Sequence, residues 1–274
     1  MRVAEAHPET HRSARPTGIP ELWVNLALAA LMVAWPVLAV WAGEGWYASL
    51  AARATILALA GVGLNLALGY GGMISLGHAA FFGLGGYVAG IAANAALSGE
   101  AMIGWPLAIP GTDVMPAIWA GAMALAAVAA LGIGAISLRT SGVYFIMITL
   151  AFAQMIYYVA ISWPEYGGED GLPIYVRNSF PGLDTYDPLA FAGLCLGCLA
   201  AAVLLTWALK GARFGQALEC ARMNPARLET VGIEPFPVKL VAFVLSAAIT
   251  GLAGALFADL NGFVSPAMLG WHTS

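Results

Sequence analysis

The stretch GVGLNLALGYGGMISLGHAAFFGLGGYVAG, residues 61–90, decides the fold class of this chain. It is apolar, but a cluster of glycines interrupts it, and Asn65, Ser75 and His78 lie in or beside the interruption. A helix in a bilayer satisfies its backbone N–H and C=O groups internally. Irregular backbone at membrane depth persists only where protein buries it or where it lines a water-filled path. Because apolar segments interrupted in this way are typical of transport routes, the stretch predicts a transporter.

The composition of the whole chain supports a membrane protein. Of its 274 residues, 61% are hydrophobic and 9% are charged, whereas soluble domains have about 25% charged residues. So few charges cannot cover the surface of a soluble fold of this length. The 11 basic residues form no stripe along the sequence, so nucleic-acid binding is not predicted.

Seven apolar runs are long enough to cross a bilayer as helices, which takes about 20 residues each. They cover approximately residues 22–42, 50–69, 77–97, 116–137, 142–162, 188–209 and 238–258. We therefore predict an all-α polytopic membrane protein with about seven or more transmembrane helices and one glycine-rich broken segment. Residues 1–21 are predicted to form a cytoplasmic tail, and residues 22–274 a single transmembrane domain.

The distribution of basic residues predicts the orientation of these helices. A cytoplasmic N-terminus would place all of the 11 basic residues except Arg53 and Arg177 on the cytoplasmic side. Cytoplasmic loops of membrane proteins carry an excess of Lys and Arg. We therefore expect a cytoplasmic loop at 210–237 and an external loop at 163–187.

No catalytic or metal-binding pattern is found in the sequence. Lys210 and Lys239, the only lysines, do not follow glycine, so the chain has no Gly-Lys-Ser/Thr loop for binding ATP. Three of its four histidines lie near the termini, which does not predict a metal cluster. Cys195 and Cys198 lie in an apolar run and are predicted to be buried small hydrophobic residues. We expect no catalytic residues and no cofactor bound by this chain.

The glycine cluster is predicted to break the helix and to line the substrate pathway. At least one of Gly69, Gly71, Gly72 and Gly77 should have a positive φ or lie in close backbone contact. A new helix is expected to start near Ser75 or Gly77, with Ser75 as the candidate N-cap, so that its N-terminal N–H groups could attract an anionic group such as a carboxylate. A purely structural role for His78 is the alternative. The residues predicted for the substrate pathway are Asn65, Gly71, Gly72, Ser75 and His78.

The polar loop KGARFGQALECARMNPARLETVGIEPFP, residues 210–237, predicts two short helices. The first covers residues 213–223. The second covers residues 225–231, with Asn224 as its N-cap, Pro225 at its first position and Gly232 just past its end. Because two turns are too short to be stable alone, the second helix is expected to be ordered by docking to another protein. An ordinary ordered loop is the alternative.

Several motifs resemble one known family. GLNLALGYGGMISLGHAAFFGLGGY is similar to a signature of the branched-chain amino-acid ABC transporter permeases. RTSGVYFIMITLAFAQMIYY followed by YGGEDGL resembles the LivM-type branch of that family. So do RFGQALECARMNPARLETVGI and, after it, KLVAFVLSAAITGLAGALFADLNGFVSP. The resemblance runs from about residue 50 to the end. Family members continue with further apolar segments where this sequence ends at Ser274, so we expect a chain cut short at its C-terminus.

The resemblance implies a function and a set of partners. Such a permease is one of two membrane subunits in the bacterial inner membrane, embedded in lipid, bound to two cytoplasmic ATPase subunits that use ATP, and supplied by a periplasmic substrate-binding protein. Its substrates would be branched-chain or related amino acids, urea or short amides. The helix at 225–231 would be the coupling helix that docks on the ATPase. The residues assigned to ATPase coupling are Arg213, Glu219, Arg222, Asn224, Pro225, Arg227 and Gly232.

Two other classes of protein compete with this interpretation. One is an ion-coupled secondary transporter of small polar solutes. The acidic residues lie in loops or at span ends, with Asp259 the nearest to an exception, whereas ion-coupled carriers usually place an acidic residue inside the membrane. The other is a membrane scaffold, which would have no need of a broken helix. Association with an ATPase would distinguish the importer from both.

Overall fold

A computed structural model describes residue 34 and residues 45–99, 101–103 and 109–270 of this chain. In this part of the chain, six helices are long and apolar enough to cross a membrane. They are α1 Gly45–Asn65, α2 His78–Ser98, α3 Met115–Ser137, α4 Val143–Ile161, α5 Pro188–Gly211 and α8 Pro235–Asn261. Two shorter helices, α6 Arg213–Met223 and α7 Pro225–Thr230, lie between α5 and α8.

The prediction of an all-α polytopic membrane protein is confirmed. The six long helices correspond to six of the seven predicted spans. The prediction of a span at 22–42, like that of a tail at 1–21, lies outside the described residues.

The loops at the helix ends contain short paired strands and turns, which the sequence did not predict. Strand β1 Ala101–Ile103 pairs antiparallel with β2 Ile109–Pro110. Strand β3 Leu172–Pro173 pairs in the same way with β4 Phe263–Val264. The second pair holds the loop between α4 and α5 against the segment that follows α8. A 3₁₀ turn, Pro266–Leu269, then packs on α2 and α4.

Helices α2 and α8 form the centre of the bundle. In the most apolar stretch of each helix, 72% of α2 and 67% of α8 are buried, against 17% of α4. Helix α8 packs on α1, α2 and α3. Glycine allows α2 and α8 to approach closely. A Cβ atom on Gly85 would overlap the backbone carbonyl of Gly251, and one on Gly254 would overlap that of Phe82. Such close backbone approach at small residues is how helices associate in lipid.

The two ends of the bundle carry opposite charges. We call the end at which α5 ends and α8 begins the basic end, and the opposite end the acidic end. The basic end has a net positive charge, with Arg139, Lys210, Arg213, Arg222, Arg227 and Lys239 against Glu219, Glu229 and Glu234. The loops at the acidic end carry Asp113, Glu165, Glu169, Asp170, Asp184 and Asp187. This segregation by helix direction is the pattern from which the orientation was predicted.

Candidate functional site

The predicted break between the first two described spans is confirmed. Helix α1 continues as a π-helix, Leu66–Tyr70, and the chain then runs without helical structure until α2 begins at His78. The N–H groups of Gly71 and Gly72 donate to the carbonyls of Leu66 and Leu68 at 3.2 and 3.1 Å. Gly72 has φ +66°, a left-handed conformation that glycine adopts without steric cost. The expectation of a positive φ in the glycine cluster is thus met at Gly72.

The non-helical segment 71–77 runs from the basic end of the bundle into the depth of the membrane-spanning helices. Ser246 follows Pro235, the first residue of α8, by eleven residues, which places it about 16 Å along the helix axis. The hydroxyl of Ser246 donates to the carbonyl of Gly63 at 2.6 Å and lies 2.8 Å from Nε2 of His78. Residues 63 and 78, on either side of the break, therefore lie beside the middle of α8.

Most of the irregular backbone is covered by protein, as its depth requires. Gly71, Met73, Ser75 and Gly77 are buried, whereas Gly72 is exposed. A Cβ atom on Gly77 would lie 2.9 Å from the carbonyl oxygen of Thr149 in α4. The segment therefore packs against α4 on one side and leads to α2, the most buried of the six long helices.

His78 has the contacts of a structural residue. It is 3% exposed, and its ring packs edge-to-face on Phe81 and Phe243 at centroid distances of 5.7 and 5.6 Å. Because the Ser246 hydroxyl donates its proton to Gly63, it accepts one from Nε2–H of His78. These contacts favour the structural alternative for His78, and its place in the pathway stays a prediction.

The predicted N-cap at Ser75 is wrong. The N-cap residue of α2 is Gly77, and the Ser75 hydroxyl accepts a hydrogen bond from the N–H of Gly77 at 3.1 Å. This bond lies before the helix, because α2 begins only at His78, so Ser75 closes a local turn in the break. The prediction failed because serine can satisfy either geometry.

The predicted pathway residues do not share one surface. Asn65 and Gly72 are exposed, whereas Gly71, Ser75 and His78 are buried. The Asn65 side chain lies against Gly69, one turn later, where an added Cβ atom would overlap Asn65 Oδ1. Their common role as pathway residues stays a prediction.

Two cavities lie beside α2 and the break. One, of about 140 Å³, lies at the basic end and is lined partly by Gly72, Ser141 and Lys239. The other, of about 270 Å³, lies between α2, α3 and α4 and is lined almost entirely by apolar side chains such as Ile91 and Ile156. The break thus borders a partly polar space at the basic end.

The two predicted helices of the polar loop are confirmed. Helix α7 ends one residue earlier than predicted. The Asn224 side chain accepts a hydrogen bond from the N–H of Arg227 at 3.3 Å, as an N-cap should. Gly232 has φ +85°, and its N–H donates to the carbonyl of Glu229 at 2.9 Å. Local capping residues therefore define α7 as the sequence predicts.

Helix α6 packs inward and α7 faces outward. Leu218 and Ala221 of α6 are buried, and Leu218 belongs to the apolar cluster that includes Ala67 and Phe243. Leu228 of α7 is buried, but its neighbours on that helix are exposed. Only the outer part of this unit is therefore available to a protein at the basic end.

Arg222 joins the polar loop to the break, which the sequence did not predict. Its Nη1 donates a hydrogen bond to the carbonyl of Gly69, and a Cβ atom on Gly72 would lie 2.8 Å from Cγ of Arg222. Arg213 and Glu219, on the same helix, are exposed. The two predicted sites are therefore in direct contact through a residue that had been assigned to ATPase coupling.

A buried polar cluster at the acidic end was also missed. Nδ2 of Asn178 donates to Oδ1 of Asp259 at 2.6 Å, and the two residues are 0% and 1% exposed. The guanidinium of Arg177 donates to the backbone carbonyls of Asp259 and Leu260 at 3.0 and 3.3 Å. These bonds attach the loop between α4 and α5 to the end of α8. The one signal in the sequence was an acidic residue in the last turn of an apolar run.

No metal site is found in the part of the chain that the structure describes. No three or more His, Cys, Asp or Glu residues there are grouped so that they could hold a metal ion.

Comparison with known proteins places this geometry in a family. The family model for the permease component of branched-chain amino acid transport systems matches residues 46–274, a range that contains the break, α6, α7 and α8. The chain belongs to this permease family. It is a multi-pass membrane protein.

Two relatives in the family are described as high-affinity branched-chain amino acid transport system permease proteins LivM. The one from Escherichia coli strain K12 is 30% identical over 267 residues, and the one from Salmonella typhimurium strain LT2 is 29% identical over 267 residues. Each alignment covers 88% of this chain and 58% of the relative. This permease thus spans less than two thirds of the length of these relatives. No solved structure matches the chain.

Proposed function

We propose that this chain is a membrane-spanning permease subunit of an ABC importer that translocates branched-chain or related amino acids. The family match carries the proposal, because it extends without interruption from the first described span through the break and the α6–α7 unit to the end. The two LivM relatives, whose names state branched-chain amino acid transport, support the substrate class.

The proposal includes partners and an orientation. We infer a second permease subunit, two cytoplasmic ATPase subunits and a periplasmic substrate-binding protein, with the chain in the bacterial inner membrane and its basic end in the cytoplasm. The cluster of basic residues at that end supports the orientation. ATP is used by the partner ATPases, and this chain contributes neither a catalytic group nor a cofactor.

The mechanism we propose is alternating access driven by the ATPases. Their closure displaces α7, whose exposed residues would form the docking surface, and α6 carries the displacement to the break. An ATPase can bias the permease only by making different contacts in two permease states. The α6–α7 unit is suited to this because one of its helices is available for docking while the other packs on the π-helix and α8.

Reconstitution tests the proposal directly. The chain, expressed with its full set of genomic neighbours, should co-purify with an ATPase. In proteoliposomes, the binding protein loaded with leucine, isoleucine or valine should stimulate ATP hydrolysis and uptake together. The chain reconstituted without an ATPase should show no uptake when a proton or sodium gradient is imposed. Gradient-driven uptake under those conditions would support the secondary-transporter alternative instead.

A further inference from the structure

We propose that Arg222 is a positioning residue that ties α6 to the broken segment, so that displacement of the α6–α7 unit moves residues 66–73. The coupling role rests on the proposed function, but the contact itself does not. The sequence alone predicts Arg222 at the ATPase interface. The geometry places its guanidinium against the permease's own backbone, between the helix that receives the displacement and the segment that must respond.

The first support is the chemistry of the end of α1. The last carbonyls of a helix have no partner within it. Here the carbonyls of Leu66, Ala67 and Leu68 accept from the N–H groups of the residues that follow the π-helix. The next carbonyl, that of Gly69, accepts from Arg222. A cation at a helix C-terminus also interacts favourably with the helix dipole, and Arg222 supplies both the charge and the donor.

The second support is the fit of Gly72 to the same side chain. Gly72 has φ +66°, and a Cβ atom added to it would lie 2.8 Å from Cγ of Arg222. Any larger residue there would be strained in its backbone and would displace the arginine. Lys210, at the end of α5, lies with its Nζ 5.7 Å from the centroid of the Tyr70 ring. Two cationic side chains from the polar loop region thus meet the end of the π-helix.

The third support is the way α6 is held. Leu218 is 1% exposed and Ala221 is 0% exposed, so this face of α6 is buried, and Leu218 belongs to the apolar cluster that also contains Met73 of the break. The side chain of Arg222 itself is exposed. An exposed guanidinium can exchange a carbonyl for water, so this contact can form in one permease state and be released in another. Single π-helical turns are frequent at functional sites, which suits the Leu66–Tyr70 segment to this rearrangement.

One experiment tests the contact without any ATPase. The full chain, with Cys195 and Cys198 replaced by alanine, is spin-labelled at native Cys220 and at Ile74→Cys in lipid nanodiscs. Cys220 and Ile74 are exposed. We expect one narrow distance distribution, which Arg222→Met broadens and Arg222→Lys largely preserves. Arg139→Met, which removes a charge from another exposed position at the basic end, should leave the distribution narrow. An equally narrow distribution in Arg222→Met would overturn the proposal.

A second experiment, in the assembled transporter, tests the coupling role. With Arg222→Met, the ATPase should co-purify as with the parent chain and binding-protein-stimulated hydrolysis should persist. The amount of substrate carried per ATP should fall about tenfold, within the usual range of coupling between sites. Arg227→Glu, on the exposed α7, should instead reduce ATPase co-purification.

The outcomes of the second experiment separate the two proposals. Loss of ATPase co-purification in Arg222→Met would make Arg222 a docking residue, and an unchanged yield per ATP would remove its coupling role. If no ATPase co-purifies with the parent chain, the proposed function fails and the coupling role fails with it. The distance measurement would still decide whether Arg222 ties α6 to the break.

Discussion

Replacing Gly254 with alanine should destabilise the helix bundle, because α2 and α8 approach most closely at this residue. The added Cβ atom would overlap the backbone carbonyl of Phe82. A backbone carbonyl within a buried helix cannot move aside as a flexible side chain can, so the two helices must separate. Gly193, on the exposed face of α5, has no atom within 4 Å of an added Cβ and provides the matched control.

The two substitutions should change stability in opposite directions. Overpacking a well-packed interior costs about 1–3 kcal/mol, while alanine is favoured over glycine within a helix by about 1 kcal/mol. Gly254→Ala should therefore lose up to about 2 kcal/mol in its free energy of unfolding. Gly193→Ala should gain up to about 1 kcal/mol. Each kcal/mol corresponds to about 2–4 °C in the unfolding temperature of domains of about 150–250 residues.

The native cysteines provide the assay. Cys195 is buried and Cys198 is partly buried, whereas Cys220 is exposed. With Cys220 replaced by serine, a thiol-reactive fluorophore will report unfolding as the remaining cysteines become accessible. We expect Gly254→Ala to unfold several degrees below the parent and Gly193→Ala at or above it. If Gly254→Ala unfolds at the parent temperature, the close approach of α2 and α8 does not occur and the central packing described above is wrong.

Three further predictions concern topology, the break and the acidic end. An impermeant thiol reagent applied to intact cells should label Glu169→Cys and not native Cys220; labelling of Cys220 would reverse the proposed orientation. Gly71→Val should abolish most transport without preventing insertion, because its Cβ atom would lie 2.7 Å from the carbonyl of Ala67. Gly61→Val in α1, where an added Cβ atom would have no neighbour within 4 Å, serves as the control, and equal transport by both variants would contradict this. Asn178→Ala leaves the buried carboxyl group of Asp259 without its hydrogen bond, so it should cost about 1–3 kcal/mol, measured as a lower temperature of cysteine exposure. An unchanged temperature would show that the cluster does not hold the loop.

The contact between the broken segment and the polar loop suggests how the two could work together. Separately, a glycine-rich break is a candidate route for substrate and a pair of short helices is a candidate docking surface. In this fold, α6 lies against the π-helix, and the partly polar cavity that Gly72 and Lys239 help to line lies beside the break. A displacement at the basic end would therefore reach the break over a distance of one side chain.

The sequence by itself determined the features that depend on local composition. About 20 apolar residues must form a helix to cross a bilayer, so six spans could be located to within a few residues. Asn224, Pro225 and Gly232 define α7 through bonds to their own neighbours. Ser75 marks the limit of such reasoning, because its hydroxyl could satisfy either a helix start or a turn, and in the structure it closes a turn before α2.

Only the tertiary structure decided which distant residues meet. Arg222 and Gly69 are 153 positions apart, and Asn178 and Asp259 are 81 positions apart. The periodicity of an apolar membrane helix does not reveal its neighbours, because lipid and protein accept the same side chains. Contacts such as that between Gly254 and Phe82 follow from how the helices cross. The fold class could thus be predicted from composition. The contact between the break and α6 could not, because it depends on how α1, α6 and α8 pack in three dimensions.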